Sequence, residues 1–162
     1  MRNLLPVCAI VFAMLFCLCD KSSNPDDPGQ ESIITMTFNG ESVTLSGGPS
    51  TASSSHIQIN GVASNAYNGQ LQIWVAGTGT GTYDETNTTV MFTSKEGQVH
   101  TVDTSLIKYG AEVDLNITEL GPGLKATLTA TVIQSFDPNY TQKSITGGSI
   151  TLTSNDIIIS RE

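Results

Sequence analysis

Glu112-Val113-Asp114-Leu115-Asn116-Ile117-Thr118-Glu119-Leu120-Gly121-Pro122-Gly123-Leu124-Lys125-Ala126-Thr127-Leu128-Thr129-Ala130-Thr131-Val132 decides the fold. Val113, Leu115 and Ile117 alternate with Glu112, Asp114 and Asn116, so an extended chain shows one apolar and one polar face. Gly121-Pro122-Gly123 turns the chain, and Leu124, Ala126, Leu128, Ala130 and Val132 then alternate with lysine and threonine. The stretch predicts a long antiparallel hairpin whose apolar faces need a partner layer.

The same period of two continues in both directions, and no helical period appears. Ile34-Thr35-Met36-Thr37-Phe38 reaches Asn39-Gly40, a two-residue hairpin signal, and re-emerges as Val43-Thr44-Leu45. Ile57 and Ile59 alternate with Gln58 and Asn60. After a second turn at Asn68-Gly69, Leu71, Ile73 and Val75 alternate with Gln70, Gln72 and Trp74. Val90 and Phe92, a turn near Glu96-Gly97, and Val99 to Val102 follow. Ile150 and Leu152, then Ile157 and Ile159, close the pattern. About nine or ten short, threonine-rich strands imply an all-β antiparallel domain over residues 31–162. A β-sandwich is the expected form, because strands with one polar face pack as two sheets over one core; a small β-barrel has the same alternation and is the alternative.

Ahead of the domain, Met1-Arg2-Asn3 leads into an apolar run from Leu4 to Leu18 that stops at Cys19-Asp20. One positive charge, a short apolar segment and an abrupt polar return make residues 1–18 a secretory signal. At 1.5 Å per residue the run spans only about 22 Å, short of the ~30 Å hydrocarbon core. From Lys21 to Gln30 the chain is Ser, Asn, Asp, Pro, Gly and charged or amide residues, which cannot bury anything, so residues 19–30 read as a tether.

The apolar run, the cysteine and the polar stretch after it resemble a bacterial lipoprotein signal, which implies lipidation of Cys19 and a membrane partner through that anchor. Exported, outer-membrane or cell-surface placement follows from the same likeness. From Ile34 to Ile159 the chain also resembles a family of small exported lipoprotein domains of uncharacterised function from diderm bacteria. The shared features are Met36-Thr37-Phe38-Asn39-Gly40-Glu41, Gly81-Thr82-Tyr83, Val113-Asp114-Leu115-Asn116-Ile117-Thr118 and Ile145-Thr146-Gly147-Gly148-Ser149-Ile150. These are turn and strand signals; the resemblance implies a β-sandwich and carries no catalytic residue.

Composition narrows the function classes. Cys8, Cys17 and Cys19 all lie in the signal, so the folded domain has neither disulfide nor thiolate metal site. Seven Lys and Arg against 15 Asp and Glu give −8, and loss of Arg2 with the signal leaves −9. Nucleic acid is not expected as a partner, since counterion release needs clustered cations and Lys21, Lys95, Lys108, Lys125, Lys143 and Arg161 are scattered.

Chemical motifs are absent: no Gly-x-Ser-x-Gly, no His-Glu-x-x-His and no phosphate loop. Gly77-Thr78-Gly79-Thr80-Gly81 reads as a strand end or bulge. His56 and His100, on separate strands, read as solvent-facing. Glu112 and Asp114 share a strand face, a spacing two glycosidase carboxylates tolerate, but they read as a solvated face. Asp84, Glu85 and Asn87, like Asp137 and Asn139, place oxygens in loops without the roughly six to eight ligands calcium needs. The expectation is a non-enzymatic domain without cofactor or metal.

Trp74 is the suggestive residue. It shares the outer strand face with Gln70 and Gln72, and if the strand around Ser55 to Asn60 is its neighbour, Gln58 and either His56 or Asn60 join it. An aromatic plate flanked by amides suits a sugar ring. Two expectations stand: a structural or protein-interaction module binding an envelope protein, or a glycan-binding module using Trp74, Gln70, Gln72 and Gln58, with Tyr83 or Tyr109 as additions.

Overall fold

The computed structural model describes residues 31–63 and 69–160. The expected signal over residues 1–18, Cys19, the expected tether and the Asn68 half of the second turn lie outside these residues. The described residues form eleven strands: β1 Ile33–Phe38, β2 Glu41–Ala52, β3 Ile57–Ala63, β4 Gln70–Val75, β5 Gly81–Asp84, β6 Thr88–Thr93, β7 Val99–Val102, β8 Glu112–Leu120, β9 Leu124–Gln134, β10 Gln142–Leu152 and β11 Ile157–Ile159. The domain is all-β, and the expected hairpin is β8–β9, paired from Glu112↔Thr131 to Leu120↔Leu124 with a register shift between Ile117 and Glu119.

The sheet closes on itself. Running β10-β1-β2-β3-β4-β6-β7-β9, it returns to β10 through the β9–β10 pairing, a ring of eight strands with every neighbouring pair antiparallel. The sandwich expected from the alternation is thus replaced by its alternative, a barrel. The physical reason lies in pairing, which strand faces do not encode: both edges of β9 are used. One edge holds β10, while the other is shared between β8 along residues 124–131 and β7 at Ile133 and Gln134.

That sharing follows from the chain between β7 and β8. Asp103 Oδ1 accepts the Ser105 backbone N–H at 2.7 Å, and a single 3-10 turn, Ile107–Tyr109, follows. The excursion breaks what would be one strand alongside β9 into two. The ring is therefore closed at one end by a short ladder, His100↔Gln134 and Thr101↔Ile133, reinforced by the Ser135 N–H donating to the Val99 carbonyl at 2.8 Å. β8 lies beside the lower half of β9 and carries β5 on its outer edge, Gly81↔Ile117 to Asp84↔Asp114.

Two local features shape the ring. Asn39 and Gly40 have φ of 47° and 88°, the pair of positive values a type I′ turn requires, so the Asn-Gly signal is realised at the β1–β2 hairpin. Pro49, which has no N–H to give a ladder, sits in a bulge where register shifts between Gly48 and Thr51. Ser50 Oγ bridges the gap, donating to Gly48 O at 2.9 Å and accepting from Asn60 N at 3.0 Å.

Apolar side chains fill the inside, among them Ile34, Leu45, Ile59, Leu71, Ile73, Phe92, Leu115, Ile117, Leu124, Leu128 and Ile145, each 2% exposed or less. Threonine, glutamine and asparagine dominate the outside, the reverse of a lipid-spanning barrel, whose apolar band faces outward. A barrel of about eight strands is just wide enough for side chains to fill, and where they stop short of one end it holds a small ligand.

Candidate functional site

The upper end of the ring is the one bearing the Asn39-Gly40 hairpin and the β6–β7 turn at Ser94–Gln98. Register fixes which side chains point inward there. Phe38 pairs with Ile145, Val43 with Met36, Phe92 with His100, and Lys143 with Val132; Ile145, Met36, Phe92 and Val132 are all core residues. Phe38, Val43, His100 and Lys143 therefore share the interior face at the mouth. They line a cavity of about 500 Å³ together with Leu45, Phe92, Ser94 and the rim residues Glu41, Lys95 and Glu96.

His100 is the unusual member. It is 1% exposed, and neither ring nitrogen has a hydrogen-bond partner among the described residues. Its imidazole packs in an aromatic cluster: Phe38 lies 4.9 Å from it and 4.6 Å from Phe92, both pairs tilted. Burial, then the positive charge of Lys143, pushes its pKa below the ordinary 6.5, with Glu96 opposing, so the ring is neutral at pH 7. A neutral imidazole carries one N–H donor and one lone pair, and unmet buried polar atoms of this kind are rare in folded proteins. The expectation that His100 faces solvent is corrected: β7 places the even residues inside, opposite Phe92.

Around the rim the charges divide. Lys95 bridges Glu41 at 2.7 Å and Glu96 at 3.8 Å, tying the β1–β2 hairpin to the β6–β7 turn. The Ser94 hydroxyl is buried without a well-formed hydrogen bond, yet it lies close enough to the Glu96 carboxyl to hold it below the usual range, helped by the Glu96 backbone and Lys95. Lys143 has no carboxylate partner among the described residues. The sequence showed no constellation here because the residues come from five strands and a turn.

The outer-face residues singled out from sequence are brought together in part. Trp74 is 48% exposed and stacks on His56, ring centroids 4.6 Å apart and planes 2° from parallel. Gln58 faces Trp74 directly across the β3–β4 ladder, Asn60 faces Gln72, and Gln58 Nε2 donates to Asn60 Oδ1 at 3.4 Å. Gln70 pairs with Val62 at the far end of β4. His56 is held by Ser53 and Ser55, each hydroxyl 3.1 Å from Nδ1.

The remaining expected groups are engaged elsewhere. The Tyr83 hydroxyl donates to the Gly79 carbonyl at 2.8 Å, and Tyr109 stacks on Tyr140 at 3.6 Å. Glu112 and Asp114 are on the exposed face of β8, where Asp114 pairs with Asp84 of β5. Asp84 Oδ1 accepts the Thr86 N–H at 2.9 Å and hydroxyl at 2.5 Å, while Asp137 accepts the Asn139 and Thr141 N–H groups at 2.9 and 3.0 Å. These carboxylates shape turns, and the bonds hold both pKa values low. Among the described residues no group of three His, Cys, Asp or Glu side chains could hold a metal ion. No family model, curated protein or solved structure matches the chain.

Proposed function

We propose that this chain is an exported, lipid-anchored, non-enzymatic module that holds a small molecule in the mouth of its barrel. The anchor rests on the Leu4–Leu18 run and Cys19. The binding role rests on one observation: a cavity of about 500 Å³ opens at the mouth, with Phe38, Val43 and Leu45 in its wall and Lys143 on its interior face. Apolar side chains form one part of the lining, and Asn39, Glu41, Thr44, Lys95, Gln98 and Lys143 are among the polar groups around the rest; roughly 300–1,000 Å³ is the usual size of a ligand site, and barrel mouths are a common place for one. The test is fluorescence enhancement of a neutral apolar probe, N-phenyl-1-naphthylamine. The wild-type chain brightens it, and Val43→Trp, which fills the cavity from its wall, abolishes the effect while far-UV circular dichroism stays unchanged. Equal enhancement by both proteins sinks the reading.

A second reading, glycan binding, draws support from the half-exposed Trp74 with His56 stacked on it and Gln58 and Gln72 beside it. A pyranose ring stacks on the indole while its hydroxyls bond the amides. On a glycan array the expected result is binding lost in Trp74→Ala; no signal from the wild-type chain, or one that survives the substitution, removes this reading. Because Trp74 lies outside the core, the variant changes stability little.

A further inference from the structure

We propose that the barrel mouth selects a small aromatic carboxylate, its acid group on Lys143 and its ring against Phe38. This rests on the reading of the mouth as a small-molecule site and adds the chemical class.

Charge is the first argument. Lys95 is spent on Glu41 and Glu96, whereas Lys143 points inward from β10, on the same face as Ile145, with no carboxylate partner among the described residues. An ammonium at a partly desolvated rim attracts a carboxylate and repels a cation.

Shape is the second. Phe38, Phe92 and His100 form a tilted aromatic cluster with ring separations of 4.6 and 4.9 Å. Phe92 and His100 are buried, so the half-buried Phe38 is the member that meets a ligand, and a second ring packs on it offset or tilted, the arrangement aromatic groups prefer. Beneath it the interior is filled by Ile34, Leu45 and Leu71, each 1% exposed or less, which sets a floor against a long alkyl chain.

A carboxylate beside Lys143 also offsets that residue's field on the buried His100 imidazole.

Isothermal titration calorimetry of the full-length chain at pH 7.5 decides the matter with two probes of equal shape, 4-hydroxyphenylacetate and 4-hydroxyphenylacetamide. The acid binds about tenfold or more tightly than the amide, Lys143→Gln brings the acid down to the amide's affinity, and Lys143→Arg keeps the preference. Equal affinities in the wild-type chain, or a preference that survives Lys143→Gln, overturn the assignment. So does failure of both probes to bind at millimolar concentration, and the naphthylamine probe then separates the two readings: if it still binds, only the ligand class is wrong, and if it does not, the mouth is no binding site.

Discussion

Gly148→Val is expected to cost about 3 kcal/mol or more, enough to remove a large share of the stability of a domain this size. β10 carries an extra residue between Ile145 and Gly148, where its register shifts against both β9 and β1. Gly147 takes φ of 59° there, and the strand re-enters the ladder at Gly148↔Leu128. The two backbones come so close that a β-carbon on Gly148 would lie 2.6 Å from the Leu128 carbonyl oxygen and 2.8 Å from its Cβ. One obstacle is main chain, so a rotamer change cannot relieve it. Leu128 is itself a core residue, 2% exposed, so moving β9 opens the middle of the barrel. Gly79→Ala is the control, because nothing lies within 4 Å of its added carbon, and it should shift stability by less than ~0.5 kcal/mol. Urea titrations followed by far-UV circular dichroism measure both. A Gly148→Val midpoint equal to wild type, at unchanged slope, would mean that β9 and β10 are not held at this distance.

Glycines such as Gly148 also mark where reading the chain stops. Period-two alternation located the apolar face of nearly every strand, because side-chain direction is a local property of extended backbone. Val113, Leu115 and Ile117 are buried and Glu112 and Asp114 exposed, as the pattern requires. The Asn39-Gly40 turn was legible for the same reason: two positive φ values in succession are a demand on two adjacent residues. Strand partners are another matter. That β9 would divide one edge between β8 and β7 depends on the 3-10 turn between them, and its sequence, Leu106-Ile107-Lys108-Tyr109, gives no strong helix signal. β5 was missed because Gly81-Thr82-Tyr83-Asp84 has no apolar alternation; it is an edge strand with an exposed or half-buried face on each side.

The outer-face platform was largely legible and the mouth was not. Placing Gln58 opposite Trp74 needed only the assumption that β3 and β4 are neighbours, which consecutive strands usually are. His100, by contrast, sits in Val99-His100-Thr101-Val102, where either set of alternate residues could face inward. Val102 and His100 are inside because β7 pairs with β6 as Val90↔Val102 and Phe92↔His100. Polarity alone argued for the opposite face, and it failed because His100 is placed by its neighbour Val102. A buried histidine with no partner is what a purely local rule would not choose.

His100→Phe should therefore stabilise the protein at pH 7, by about 1–3 kcal/mol. Leaving buried donors and acceptors unmet costs on that order, and replacing the group with an apolar one of similar shape recovers it. Phenylalanine keeps the packing against Phe38 and Phe92. The substitution also predicts a change in pH dependence. Burial, then Lys143, holds the folded-state pKa of His100 below 6.5, with Glu96 pulling the other way and the Lys95 pair with Glu41 completing the charged rim. Below pH 6.5 the unfolded chain therefore takes up a proton that the native protein does not, and stability falls with pH by up to about 1.4 kcal/mol per unit until the folded-state pKa is passed. Above 6.5 the residue is neutral in both states and adds no slope. The carboxylates held low, Asp84, Glu96 and Asp137, have unfolded values of 3.8 to 4.5, so their contribution is present above that range and is lost only as pH falls through it. Between pH 6.5 and 5 the difference between wild type and His100→Phe thus isolates this side chain. Urea midpoints should diverge as pH is lowered across that window, with the variant the more stable throughout. A variant less stable than wild type by more than about 1 kcal/mol would show that the imidazole has a hydrogen-bond partner in the folded protein.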